Sequence, residues 1–174
     1  MTAVGPRIQI CFEDARVDSG HGALMVQAMR DEIAAMYDGL ELDGHRMPRA
    51  GPADLSPPSG AFLVGRHRGK PVCCGGVKRL DASTCEIKRM YVVPELRGQG
   101  AARVLLNALE DRARELGYAR ARLDTGPKQK RARGLYESAG YVEIENFNEN
   151  PVASFWGEKP LRSSWDPEEP LRSS

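Results

Sequence analysis

Residues 86–116 read EIKRMYVVPELRGQGAARVLLNALEDRAREL, and this stretch decides the fold that we expect for the chain. Its first part, through Val93, is rich in β-branched and aromatic residues and stops at a proline, which predicts a strand. After Gly100, leucine and alanine recur at helical spacing beside charged residues, which predicts an amphipathic helix. The segment therefore predicts a strand that enters a helix through a glycine-containing turn.

The turn between this strand and this helix has the features of a phosphate-binding site. The first backbone N–H groups of a helix have no partner within the helix, and the helix dipole adds positive potential there. Gly98 and Gly100 lack the Cβ atoms that would hold an anion away. The turn is neither a P-loop nor a GxGxxG dinucleotide turn. Taken alone, it is as compatible with a plain connection as with phosphate binding.

The residues on both sides of the turn indicate which kind of phosphate-binding site it is. Val93–Ala102 closely resembles the signature of the GNAT acetyltransferase superfamily, which is Arg or Gln, two residues, Gly, one residue, then Gly or Ala. Here Arg97, Gly100 and Ala102 occupy those positions. The blocks TGPKQ, GLYESAGY, FNENP and FWGEKPL extend the resemblance over about residues 61–161, to a bacterial subgroup of small GNAT enzymes. The resemblance implies that the bound anion is the pyrophosphate of acetyl-coenzyme A.

The same resemblance implies the fold class, α+β with three layers, in which helices flank a mixed, mostly antiparallel sheet of about seven strands. Hydrophobic patterns predict the other elements. Strands are expected at residues 7–13, 61–66, 71–80, 120–124, 141–144 and 155–159, and helices from Asp18 or Ser19 to about residue 39 and at residues 128–139. Residues 44–60, rich in Gly and Pro, predict a long loop that either selects the substrate or simply connects two elements. We expect one domain over residues 1–161 and a flexible tail over residues 162–174.

Composition excludes several classes of function. The net charge of +1 provides no field for a nucleic acid or an anionic membrane, so we expect neither partner. The four cysteines lack the spacing of a zinc site, and Cys73 and Cys74 would point to opposite faces of a strand. We therefore expect buried thiols and no metal. The N-terminal residues have no signal-peptide core and no apolar run would span a membrane, so we expect a cytoplasmic protein.

Acetyl transfer from a thioester to an amine requires a base, donors for the oxyanion and an acid for the thiolate. An alkylamine with a pKa near 10.4 is only about one part in a thousand neutral at pH 7. The resemblance implies that Glu86, acting through water, is the base and that Tyr136 is the acid. Two alternatives remain open: Glu86 is a surface carboxylate paired with Lys88 or Arg89, and Tyr136 is a packing residue on the apolar face of its helix.

The cofactor contacts also follow from the resemblance. The main chain of residues 90–93 would pair with the pantetheine arm, and residues 97–103 would hold the phosphates. The predicted cofactor-binding residues are Met90, Tyr91, Val92, Val93, Arg97, Gly98, Gln99, Gly100, Ala101, Ala102, Arg103 and Gln129. In many relatives this strand bulges and exposes an N–H for the oxyanion. With regular alternation, Glu86 would lie on the same face as Met90.

Three classes of function compete. The first is an amine N-acetyltransferase that uses acetyl-CoA by direct attack in a ternary complex. The second is a coenzyme A-binding sensor without catalysis, and the third is a protein that uses the turn for another phosphate. The presence of Glu86 and Tyr136 favours the enzyme, and the missing P-loop lysine argues against the third class. The acceptor stays open among an amino acid, a polyamine, an antibiotic amine and a protein terminus. A homodimer, common in this superfamily, is compatible with the resemblance.

Overall fold

A computed structural model describes residues 7–161, which form one sheet and the helices that flank it. In chain order the elements are β1 (Cys11–Asp14), α1 (Gly20–Met36), β2 (Ala61–His67), β3 (Lys70–Arg79), β4 (Thr84–Val92), α2 (Ala101–Glu115), β5 (Arg120–Thr125), α3 (Lys130–Ser138), β6 (Val142–Glu143) and β7 (Phe155–Pro160). The tail that we expected to be flexible, residues 162–174, lies outside the described residues. No helix in the described part is long and apolar enough to cross a membrane.

The seven strands form a single sheet in the order β1-β2-β3-β4-β5-β7-β6. Strands β4 and β5 are parallel, and every other neighbouring pair is antiparallel. The predicted mixed, mostly antiparallel sheet is therefore confirmed. The single parallel pair requires a crossover, and α2 provides it with the amphipathic helix that the sequence predicts.

Helices cover both faces of the sheet. One core lies under α2 and α3 and contains Leu105 and Leu109. The other lies under α1 and contains Val26. The adjacent residues Cys73 and Cys74 of β3 are both fully buried, one in each core, because successive side chains of a strand point to opposite faces. This placement confirms three layers and the predicted burial of the two thiols.

Strands β4 and β5 pair over only three residues. The pairs run from Thr84 opposite Arg120 to Glu86 opposite Arg122, and β4 then continues to Val92 without further pairing to β5. A wedge therefore opens between the two strands at the middle of the sheet. Because one edge of β4 is unpaired along this wedge, its backbone groups are available to a ligand.

Strand β4 carries a β-bulge at Arg89 and Met90, which together lie opposite Gly75 of β3. Arg89 has φ = 58°, the left-handed conformation that residues other than glycine rarely adopt. The extra residue reverses the alternation of side chains, and Met90 packs against the same core as Ile87. The expectation that Glu86 and Met90 share a face is therefore wrong, because it assumed a regular strand.

The two edge strands are shorter than the hydrophobic pattern predicts. Strand β1 begins at Cys11 rather than at residue 7, and β6 contains two residues rather than four. Cys11 is opposite Arg66, and β2 ends one residue later at His67. In this register Ile10 would face His67, the last residue of β2, and residues 7–9 extend beyond the end of that strand, which limits the length of β1.

Gly22, in the first turn of α1, allows this helix to pack closely against the sheet. A Cβ there would overlap the carbonyl oxygen of Arg16 and crowd the Phe62 ring. We expect Gly22→Ala to lower the free energy of unfolding by about 1–3 kcal/mol. The matched control is Gly134→Ala in α3, where no atom lies within 4 Å of an added Cβ. The control should gain about 0.5–1 kcal/mol from helix propensity. Urea unfolding measures both, and equal midpoints would contradict the close approach.

Candidate active site

A groove of about 590 Å³ runs between α1, the start of α2 and α3. We call it the large groove. Its lining includes Met90, Tyr91, Val92, Arg97, Gly98, Gly100, Ala101, Ala102, Arg103, Gln129 and Tyr136. These are all the predicted cofactor-binding residues except Val93 and Gln99, together with the predicted acid. The structure therefore brings the strand end and the glycine turn to one surface, as an extended ligand with a phosphate group would require.

The mouth of the large groove at α2 is open to an anion. Gly98 and Gly100 have φ of 81° and 83°, and no atom lies within 4 Å of a Cβ built on either residue. Gly100 is the N-cap, and the N–H of Val104 donates to its carbonyl oxygen at 3.2 Å. The N–H groups of residues 101–103 precede this bond and have no acceptor within the helix. They form the start of a helix with its positive dipole end exposed.

Basic side chains line the large groove around this mouth. They are Arg97, Arg103, Lys128, Lys130 and Arg131. Arg97 also fixes the turn, because its guanidinium donates to Glu32 at 2.7 Å and to the carbonyl oxygen of Val92 at 3.0 Å. Arg103 donates to Ser138 Oγ at 2.5 Å. The side chain of Arg97 is thus committed to the fold of the turn. Lys128 is also held by the protein, because its Nζ donates to the carbonyl oxygen of Met36 at 2.7 Å.

Three predicted cofactor-binding residues have other contacts. The N–H of Val93 donates to the carbonyl oxygen of Val72, at 2.9 Å, and so belongs to the ladder with β3. The amide of Gln99 turns back and donates to the carbonyl oxygen of Glu95 at 3.2 Å. Gln129 lines the large groove, and its Oε1 accepts the backbone N–H of Gly126 at 3.2 Å. Gln129 therefore holds the turn that leads into α3.

A second cavity of about 110 Å³ adjoins the large groove, and we call it the small cavity. The two share Met29, Ile33, Met90, Gln129 and Tyr136. The apolar wall of the small cavity also contains Leu40, Leu42, Met47, Pro48, Ile87 and Val152. Its polar lining is Tyr37, Lys88, Arg89, Asp124, Thr125, Gln129 and Asn150. The predicted loop at residues 44–60 thus contributes Met47 and Pro48 to this wall.

Tyr136 lies where the two cavities meet. Its side chain is almost fully buried, its hydroxyl is 3.8 Å from Met90 Sδ, and its ring meets that of Tyr141 edge to face at 6.0 Å. Burial raises the pKa of this phenol, and the carboxylate of Asp124 raises it further. The hydroxyl is therefore protonated at neutral pH. The ring packs in the core while the hydroxyl faces the junction of the two cavities, so that packing and chemistry are compatible.

Glu86 lies outside the lining of both cavities and is 1% exposed. Its Oε2 accepts from Asn148 Nδ2 at 2.8 Å and from Lys88 Nζ at 3.4 Å. Its Oε1 is buried without a hydrogen-bond partner in residues 7–161. Burial raises the pKa of this carboxyl, and the charge of Lys88 opposes the rise. The expected pairing with Lys88 is present, but inside the protein and not at its surface.

An asparagine bridge connects Glu86 to the small cavity. Asn148 Nδ2 donates to Glu86 Oε2 and also to Asp124 Oδ2, at 2.6 Å, and Asp124 lines the cavity. Asn150 Nδ2 donates to the same Asp124 oxygen at 3.0 Å, and Trp156 Nε1 orients Asn148 by donating to its Oδ1 at 3.0 Å. Sequence reasoning missed this bridge, because the asparagines of the FNENP segment are visible in the sequence but the carboxylates that they contact depend on how the loop folds.

The cysteines do not provide a nucleophile at either cavity. Burial raises the pKa of Cys73 and of Cys85 to about 12 and raises that of Cys74 as well, which keeps these thiols protonated. Cys11 is exposed on β1 and lines neither the large groove nor the small cavity. In the part of the chain that the structure describes, no group of three His, Cys, Asp or Glu side chains is arranged to hold a metal ion.

Comparisons with known proteins agree with this geometry. The model of the Acetyltransferase (GNAT) family matches residues 26–141. The chain is 37% identical over 93 residues to the uncharacterized N-acetyltransferase YjgM of Escherichia coli, a match that covers 52% of this chain and 56% of YjgM. It is 36% identical over 111 residues to the IAA acetyltransferase of Azospirillum brasilense, covering 62% and 72% of the two chains. The match to YjgM thus spans little more than half of that relative.

Solved structures show the same fold. The putative acyl-CoA N-acyltransferase from Klebsiella pneumoniae superposes with a TM-score of 0.73 at 27% identity, over 90% of this chain and all of that one. A GNAT family acetyltransferase from Elizabethkingia anophelis, solved with acetyl-CoA bound, has a TM-score of 0.62 at 17% identity, over 87% of this chain and 98% of that one. At 17% identity, the second comparison shows a shared fold and nothing more.

The buried carboxyl of Glu86 should change how the stability of the protein depends on pH. Its pKa in the folded protein lies above the ordinary value near 4.5, so between these two values the folded state binds more protons than the unfolded state. This contribution to stability is complete below pH 4.5 and is lost as the pH rises through the folded pKa. We expect the stability of wild type to fall over this window relative to Glu86→Gln.

Urea unfolding at a series of pH values measures this difference. The control is Glu145→Gln, which removes an exposed carboxylate and should follow wild type at every pH. The buried position of Glu86 is refuted if the stabilities of wild type and Glu86→Gln change in parallel with pH. It is also refuted if wild type gains stability relative to the variant as the pH rises.

Proposed function

The chain belongs to the acetyltransferase (GNAT) family, and we propose that it is an N-acetyltransferase that transfers the acetyl group of acetyl-CoA to a primary amine of a small molecule or peptide. One observation carries the proposal: the large groove, with its glycine turn, meets the small cavity at Met90 and Tyr136. Such a junction lets a thioester in one space face an amine in the other. The acetyl-CoA bound to the Elizabethkingia anophelis relative supports the choice of donor.

The donor would lie along the large groove in an extended form. Its pyrophosphate would accept hydrogen bonds from the free N–H groups of residues 101–103, beside the basic side chains of the groove. Its pantetheine arm would pair with the unpaired edge of β4, as peptides pair with an exposed strand. This arrangement would bring the thioester carbonyl to Met90, next to the bulge.

The reaction would proceed by direct attack in a ternary complex. The ammonium of the acceptor first gives a proton, through a water, to Glu86, whose raised pKa makes it a stronger base than a surface carboxylate. The amine nitrogen then forms a bond to the thioester carbon, and a backbone N–H at the bulge donates to the oxyanion. When the C–S bond breaks, Tyr136 gives its proton to the thiolate, and the second proton of the nitrogen restores the phenol.

A catalytically silent acetyl-CoA sensor is the second candidate. It is favoured by one observation, the position of Glu86 outside the lining of both cavities. The bridge through Asn148 supports the enzyme, because it couples Glu86 to Asp124, which does line the small cavity. The two candidates share the donor site and differ in whether an amine is acetylated.

Acetyl-CoA binding tests the donor site. We expect Gly100→Ala to weaken it about 10-fold or more, because the new Cβ would displace the phosphates and the left-handed backbone would be strained. Gly69→Ala is a matched control, because Gly69 also has a positive φ and open space but lies in the β2–β3 hairpin. Calorimetry with acetyl-CoA measures both variants. Absence of binding to wild type at millimolar ligand, or equal weakening in both variants, would refute the proposed donor site.

Turnover tests the role of Tyr136. We expect Tyr136→Phe to lower kcat about 100-fold while the Kd for acetyl-CoA changes little, because the ring stays and only the proton donor is lost. The control is Tyr118→Phe, whose hydroxyl donates to the carbonyl oxygen of Ser59 away from both cavities. Release of free thiol in the presence of amines measures turnover. Unchanged kcat would make Tyr136 a packing residue, and a wild type that binds acetyl-CoA but acetylates no amine would be the sensor.

A further inference from the structure

The small cavity contains a buried cation that makes few hydrogen bonds. The side chain of Arg89 is 7% exposed and lines this cavity. Within residues 7–161, its guanidinium has one hydrogen-bond acceptor, Asp43 Oδ1, at the long distance of 3.5 Å. A guanidinium carries five donors, and a buried charge without a close partner is costly. Arg89 therefore has unused donors facing a space that a ligand can enter.

The carboxylate of Asp43 is also shared. Its Oδ2 lies 2.6 Å from Arg30, and its side chain is more than half exposed. Arg30 itself has a buried Nε without a partner in the described part of the chain. Two guanidiniums therefore face one solvated carboxylate, which is closer to Arg30 than to Arg89. Arg89 therefore shares its nearest carboxylate with a second guanidinium, and the carboxylates of Glu86 and Asp124 attract it as well.

The other charges of the small cavity are better paired. Lys88 lies 3.4 Å from Glu86, and Asp124 accepts from both Asn148 and Asn150. Within residues 7–161 the hydrogen bonds of Asp124 come from neutral amides, and Arg89 attracts this carboxylate without a direct hydrogen bond to it. The cavity thus presents one guanidinium and one carboxylate, each available to a charge of opposite sign. A ligand with an ammonium and a carboxylate would complement both.

We propose that the acceptor is a free α-amino acid with an apolar side chain. Its carboxylate would bind Arg89 and its ammonium would lie beside Asp124, with its side chain against the apolar wall formed by Met29, Ile33 and Leu42. The size of the cavity, about 110 Å³, suits a small molecule. The product would be an N-acetyl amino acid. This inference rests on the proposed function and names its substrate class.

Charge argues against two of the other acceptor classes, a polyamine and a protein terminus. A polyamine would bring a second ammonium next to Arg89 and Lys88, where like charges repel. The first residue of a peptide has an amide where a free amino acid has its carboxylate, so a protein terminus would leave the guanidinium of Arg89 without its counter-ion. This discrimination between acceptors depends on the bulge, because the left-handed backbone of Arg89 places its side chain at the cavity.

Pairs of substrates test the proposal on the wild-type protein. We expect L-leucine, L-methionine and L-phenylalanine to be acetylated with kcat/KM about 10- to 100-fold higher than their carboxamides, the range of a lost charge-assisted hydrogen bond. The test is stringent because an α-amine next to an amide has a pKa of only about 8 and is intrinsically easier to deprotonate. A preference for the acids must therefore come from the site.

Variants of Arg89 test whether this residue causes the preference for acids over carboxamides. We expect Arg89→Gln to abolish the ratio between acid and amide, and Arg89→Lys to keep part of it, because the charge remains without the bidentate geometry. Arg68→Gln is the matched control, since Arg68 also has a positive φ but is exposed in the β2–β3 hairpin. Thermal shifts with N-acetyl-L-leucine and N-acetyl-L-leucinamide report the same discrimination by binding alone. They need neither turnover nor acetyl-CoA.

The outcomes separate this proposal from the one on which it rests. Equal use of acids and amides by wild type, or acetyl-CoA binding without acetylation of any of the three amino acids, would overturn the amino-acid acceptor and leave the donor site intact. A ratio that survives in Arg89→Gln would overturn the role of Arg89. Failure of wild type to bind acetyl-CoA would overturn both proposals.

Discussion

Strands β4 and β5 stop pairing after Glu86 and Arg122, and most of the candidate site follows from that loss of hydrogen bonds. Had the two strands continued as a regular parallel ladder, the middle of the sheet would have been closed. Their divergence leaves an edge of β4 unpaired and lets side chains from both strands surround a space between them. The small cavity is lined by side chains of both strands, and the large groove by the end of β4.

Several charged groups near this opening are buried, which a structure selected only for stability would avoid. Lys88 and Arg89 are each 7% exposed, and Glu86 is less exposed still. Their mutual attraction and the amide of Asn148 offset part of the desolvation, but Glu86 keeps an oxygen without a partner among residues 7–161. Such incompletely compensated groups concentrate where a protein binds ligands. Here they lie at or directly behind the small cavity.

Much of the fold was predictable because it depends on local patterns. Alternation and helical periodicity located the strands and helices, and the glycines of the turn at residues 97–102 indicated an open helix start. The ends of β1 and β6 were not predictable, since a strand extends only as far as its partner. The bulge in β4 was expected only from the resemblance, and its position at Arg89 was not predictable. Nothing in the sequence of β4 favours a left-handed arginine, which the pairing with Gly75 of β3 imposes.

The candidate site was predictable to the extent that it uses the turn and the end of β4. The resemblance to a known family pointed to Tyr136, and the structure brings it to the junction of the two cavities. The contribution of Asp124, Asn148 and Asn150 was not predictable, because it depends on how a loop between β6 and β7 folds back over β5. The burial of Glu86 has the same origin, since that loop covers it.

The amide of Asn148 has two protons, and each of them is donated to a different carboxylate. Spontaneous deamidation would convert this side chain into an aspartate. It would then remove both donors at once and place a third negative charge between Glu86 and Asp124. Deamidation of this one side chain would thus replace two hydrogen bonds by repulsion among three carboxylates, without a break in the chain. Trp156 helps to hold this amide in the position in which it serves both carboxylates.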